Sequence, residues 1–140
     1  MPLIRATIKE NIAELVIPTA AINGHLANSQ VPSLMIEVTV QRSKDSTFSR
    51  EFDVIVGAPP DLNHVDANSP YYAGTIAFFG SMSHMARMPQ EASFVVPLPK
   101  SAEAFNSLGA NESTRINVRV VPTNREGSTP VLKGVTLLAY

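Results

Sequence analysis

The chain contains no cysteine and no tryptophan, and only 6% of its 140 residues are aromatic. Without thiols there is no disulfide framework, no thiolate metal site and no thiol nucleophile. A chain long enough to bury a self-sufficient core needs no staple, so the redox compartment stays open. Charge is sparse as well: eleven Lys and Arg stand against twelve Asp and Glu, without long like-charge runs, for a formal net charge of -1. Nucleic-acid affinity rests mainly on phosphate neutralisation, so this surface argues against a polyanionic partner. No apolar run approaches the roughly 18–20 residues that a bilayer-spanning helix needs. The N-terminus also lacks the basic-then-apolar pattern of a signal peptide, so a soluble chain without an address is expected.

What the chain has in abundance is period-two alternation. Leu34, Ile36, Val38 and Val40 fall on one face while Met35, Glu37, Thr39 and Gln41 fall on the other, the pattern of a half-buried strand. Phe52, Val54 and Val56 alternate with Glu51, Asp53 and Ile55 until Gly57-Ala58-Pro59-Pro60 ends the run. Ile116, Val118 and Val120 oppose Arg115, Asn117 and Arg119, and Val131, Lys133, Val135 and Leu137 share one side of a further strand. The turn-rich connector 122–130 predicts a hairpin between these two. Less regular strands are expected at Ile4 to Ile8, Ala13 to Ile17, Gly74 to Phe79 and Ala92 to Pro97, with longer loops at Ala20 to Ser33 and Asp61 to Tyr71. One helix of about two turns is signalled, with Ser101 as cap, Phe105 and Leu108 on one face and Gly109 as its stop. The pattern therefore predicts one all-β domain over residues 1–140: an antiparallel β-sandwich, jelly-roll-like, of seven or eight strands with one short helix.

Three segments carry a family resemblance: Glu51-Phe52-Asp53-Val54, then Tyr72-Ala73-Gly74-Thr75-Ile76, then Gly134-Val135-Thr136-Leu137-Leu138-Ala139-Tyr140. Together they resemble the C-terminal domain of the tyrosinases and polyphenol oxidases, whose Lys-Phe-Asp-Val signature reads Glu-Phe-Asp-Val here. The order of features is similar too: a turn holding His84 after Ala73-Gly74, a short helix into Leu108-Gly109-Ala110, and two closing strands. Glu51 stands where the family has lysine, and the family's His-x-His-like turn is Ser81-Met82-Ser83-His84-Met85-Ala86-Arg87-Met88. The first 30 residues match least and read as a linker recruited as edge strands.

The resemblance implies a non-catalytic shield that packs over the type 3 copper site of a tyrosinase-like or catechol oxidase domain and keeps it latent. That partner belongs to the same precursor or to a separate chain. A type 3 site uses three imidazoles per copper, whereas this chain has only His25, His64 and His84, so it is expected not to be an enzyme by itself. No tightly bound cofactor is expected, and copper enters through the associated oxidase. Two further functions fit the same fold: a stand-alone helper that folds a tyrosinase or loads it with copper, and a generic protein- or carbohydrate-binding sandwich associating through an edge strand.

Several side chains invite a sharper reading. Met82, Met85 and Met88 with His84 offer soft donors suited to Cu(I), although methionines more often serve as adaptable apolar contacts. Phe78 and Phe79 are candidates, with Met82 and Met85, for the element that blocks the oxidase entrance, because an aromatic ring imitates a phenol. In regular strand geometry the two rings point to opposite faces, so at most one serves the core. Asp53 points away from Phe52 and Val54, either into solvent or into a polar contact. Tyr71 and Tyr72 offer hydroxyls that need partners if buried. His64 lies between Asp61 and Asp66 without a placed nucleophile, the composition of a solvated loop. Asn111-Glu112-Ser113 fits the glycosylation sequon, a short match common by chance.

Overall fold

The computed structural model describes residues 4–27, 34–42, 51–78, 90–105, 112–123 and 129–139. Within them lie nine strands: β1 (Ile4–Arg5), β2 (Thr7–Lys9), β3 (Ile12–Pro18), β4 (Leu34–Arg42), β5 (Glu51–Val56), β6 (Tyr72–Ala77), β7 (Gln90–Pro97), β8 (Ser113–Pro122) and β9 (Val131–Ala139). Helix α1 (Thr19–Ala27) follows β3, and a single 3-10 turn (Ala102–Phe105) follows β7. The strands make two antiparallel sheets, a four-stranded one in the order β1-β9-β4-β7 and a five-stranded one in the order β2-β3-β8-β5-β6. The architecture is the expected all-β sandwich.

Alternation builds the core. Leu34, Ile36, Val38 and Val40 of β4 face Leu15 and Ile17 of β3, Phe52 and Val54 of β5, and Ile116 and Val118 of β8 within one buried cluster. Each such side chain contributes about 1.5–3 kcal/mol by leaving water. β1 and β2 are short edge strands, but β3 is interior, and its Ala13, Leu15 and Ile17 are fully buried. The N-terminal stretch is a single run that changes sheets: Ile4 pairs with Leu137 of β9, the Ala6 N–H donates to the Val135 carbonyl at 2.8 Å, and Thr7 pairs with Glu14 of β3. One lateral side of the sandwich is thereby closed. On the other side the edges β6 and β7 approach, and a Cβ on Gly74 would lie 3.3 Å from Val96.

Four expectations are corrected. The hairpin between β8 and β9 does not form, because β8 lies between β3 and β5 while β9 lies between β1 and β4, so the connector crosses from sheet to sheet. Val131 and Lys133 do not share the buried side with Val135 and Leu137: Leu132 is buried and Val131 exposed. A β-bulge opposite Thr39 and Val40 shifts the alternation by one residue there. The loop expected from Ala20 contains α1, whose buried residues are only Thr19, Ile22 and His25. Finally, the two-turn helix after Ser101 is, among the described residues, one 3-10 turn, with Leu108 and Gly109 outside them. Ser101 does not cap it with its side chain; the hydroxyl donates to the Pro70 carbonyl at 2.5 Å.

Candidate functional site

β5 is the middle of the candidate region. Phe52, Val54 and Val56 point into the core, whereas Asp53 and Ile55 face outward yet are also buried. Loop 57–71 covers them: Ile55, Ala58 and Val121 form a second cluster with Leu62, Val65 and Tyr71. The loop is fastened by Arg119, which donates to the carbonyls of Pro59 (2.9 Å) and Leu62 (2.6 Å) and to Asn63 Oδ1 (3.3 Å). Burial lowers the Arg119 pKa and the neighbouring Asp61 carboxylate opposes the shift, but a guanidinium stays charged. A second tie is the Val56 N–H to the Tyr71 carbonyl at 2.9 Å.

Asp53 is engaged in a polar contact. It registers opposite Thr75 of β6, whose hydroxyl donates to Asp53 Oδ1 at 2.7 Å, and the Tyr72 hydroxyl in turn lies 2.7 Å from Thr75 Oγ1. With Thr75 already donating, Tyr72 is the donor of that second bond. Phe52 and Asp53 on one strand thus meet Ile76 and Thr75 on the next, and Val54 meets Gly74. Ala73 is the extra residue of a bulge between Gly74 and Tyr72. Glu51 is exposed, and its carbonyl accepts from the Thr123 N–H at 3.2 Å.

Phe78, the residue after β6, lies in the core. It is 4% exposed, and its ring meets Phe52 edge-on (5.9 Å, 90°) and Phe94 likewise (5.5 Å, 73°). In this conformation the Phe78 ring is packed between the two sheets and is not presented to a partner. Phe79, Met82, His84, Met85 and Met88 lie outside the described residues, as does Asn111 of the sequon. The stretch that carries the first five joins the end of β6 to the start of β7, the edge strands of the two sheets.

His64 and Asp61 are exposed, and Asp66 accepts from the Asn68 N–H at 2.9 Å in a local turn; no acid-base pair is formed by them. His25, which no local sequence pattern singles out, is fully buried. Its Nε2 lies 3.1 Å from the Leu98 carbonyl and 3.2 Å from the Pro99 carbonyl, and its Nδ1 accepts from the Leu34 N–H at 3.2 Å. Two carbonyl acceptors and one N–H donor specify a neutral ring with the proton on Nε2. Burial lowers its pKa, against the opposing pull of the Pro99 and Leu98 carbonyls. Among the described residues no group of three or more His, Cys, Asp or Glu side chains is arranged to hold a metal, and no helix is long and apolar enough to cross a membrane. The chain matches no protein-family model and no curated protein.

Proposed function

We propose that the chain is a non-catalytic shielding domain, a β-sandwich that lies over the copper site of a tyrosinase-like oxidase and keeps it latent. The observation that supports this best is the pairing of the two central pieces of the resemblance. Glu51-Phe52-Asp53-Val54 and the Ala73 to Ile76 segment, separated by loop 57–71, lie side by side and are joined by the Asp53–Thr75 bond. The stretch 79–89 begins one residue after Phe78, which is wedged between Phe52 and Phe94. A blocking element works only on a rigid base, because a loosely held plug loses affinity to its own ordering entropy. Here the described residues that flank the stretch, Phe78 and Gln90, follow and begin edge strands of one core. The function is steric: the domain occupies the entrance, and no group on it takes part in phenol oxidation.

The test is to mix the chain with a tyrosinase-like catalytic domain freed of its own shield and follow diphenol turnover. Turnover falls as the chain is added and a complex elutes on gel filtration. Replacing Phe79 or Met85 by Ala restores turnover. A chain that neither inhibits nor co-elutes overturns the proposal.

A further inference from the structure

Helix α1 is intrinsically poor. It has nine residues, places Asn23 and Gly24 in its middle, and carries no acidic side chain in its first turn. Isolated helices of this length are marginal in water, so its persistence depends on what it docks against. Its buried contacts are Thr19, Ile22 and His25. Thr19 is held at the strand end by its N–H to the Glu112 carbonyl (2.8 Å) and by its hydroxyl against that of Thr114 (2.8 Å). At the other end the tie is the imidazole, together with the Lys100 ammonium, which donates to the His25 carbonyl at 3.0 Å. His25 also meets Phe105 of the 3-10 turn edge-on at 6.5 Å. One side chain thus joins α1, the first residue of β4, the residues after β7 and the 3-10 turn.

We propose that His25 is an acid-sensitive latch: neutral, it holds the C-terminal half of α1 on the sandwich, and protonation at Nδ1 frees that half while the two sheets stay paired. A proton on Nδ1 faces the Leu34 N–H donor, so one acceptor is lost and two donors are opposed. Among the described residues no carboxylate compensates. α1 has no other charged side chain, Glu103 of the 3-10 turn is exposed, and Glu37 of β4 lies on that strand's outer face; Lys100, the charged neighbour, repels the imidazolium. The ladders do not depend on the ring, because its partners are groups at strand ends. The latch rests on this chain's own geometry and stands apart from the shielding proposal.

The sign follows from linkage. The folded pKa lies below the unfolded value of about 6.5, so the stabilisation is complete above about pH 6.5 and is lost as pH falls from there to the folded pKa. Hydrogen exchange of the intact chain from pH 7.5 to 5, corrected for intrinsic rates, reads it directly. The opening constant for amides 23–27 rises by up to about tenfold per pH unit between 6.5 and the folded pKa and levels off below it, while those of β4 and β9 hold. In His25→Gln, which does not titrate, the slope disappears. A slope that persists in His25→Gln, or amides of helix and sheets opening together, overturns the latch. Should that variant fail to fold, NMR of the wild-type ring decides: a Nε2–H tautomer titrating below 6.5 supports the latch, and an ordinary pKa overturns it.

Discussion

At the scale of single residues, two glycines separate what space permits from what the backbone demands. Gly57 ends β5 at φ 72°, and a Cβ there would sit 1.8 Å from the Ala104 carbonyl oxygen, which belongs to the 3-10 turn packed on it. Gly57→Ala therefore combines left-handed strain with overpacking, for a loss of about 2–4 kcal/mol, read as a lower urea midpoint. Gly24 is the opposite case: it lies in α1 with nothing within 4 Å of where a methyl group would sit, so Gly24→Ala raises stability by up to about 1 kcal/mol. If Gly57→Ala leaves the midpoint unchanged, the close packing of β5 on the 3-10 turn is wrong. The sequence shows that Gly57 stops a strand; it does not show that Ala104, far along the chain, fills the space a side chain would take. His25 and Arg119 are hidden for the same reason. Each satisfies backbone groups distant in sequence, and no local pattern marks a side chain whose partners are carbonyls.

At the scale of elements, the β2–β3 hairpin turns on Glu10 and Asn11, both in the left-handed region at φ 54° and 64°. That is the backbone of a type I′ turn, which matches strand twist but suits Asn and Gly far better than Glu. Glu10→Gly relieves the strain and is expected to stabilise the fold by about 1 kcal/mol. Asn11→Ala is expected to lose about 2–3 kcal/mol, because its amide donates to the Pro130 carbonyl (2.9 Å) and accepts from the Leu132 N–H (2.7 Å), fastening the hairpin to the start of β9. Thermal unfolding of the two variants checks both signs. β4, β5 and β8 are readable from alternation because the extra residues of the bulges beside β4 and β5 lie on the partners β9 and β6, so their own inward rows run unbroken. β9 reads out of phase because a bulge changes the facing of Leu132 without changing composition. α1 escapes a pattern reading because it has almost no apolar stripe, being held by two buried side chains near its middle and end.

At the scale of the whole molecule, the sandwich has two unlike sides. One is sealed by the N-terminal run that pairs first with β9 and then with β3; on the other, among the described residues, side chains meet, with Gly74 against Val96 and Phe78 between Phe52 and Phe94. Alternation identifies which residues face inward but not which strand lies beside which, so β8 and β9 read as a hairpin although they belong to different sheets. Of the segments carrying the family resemblance, the two on β5 and β6 are true neighbours. The second side also separates fold from proposed function. Phe52 belongs to the five-stranded sheet and Phe94 to the four-stranded one, so Phe78→Ala opens a cavity between sheets and costs about 3–5 kcal/mol. Phe78→Leu keeps most of the volume and costs less, about 1–1.5 kcal/mol. Because the ring is 4% exposed, Phe78→Leu should inhibit a tyrosinase-like catalytic domain as well as the unaltered chain does, whereas Phe79→Ala should not. Loss of inhibition by Phe78→Leu with its urea midpoint nearly intact would place that ring in the oxidase entrance and require it to leave the core on docking.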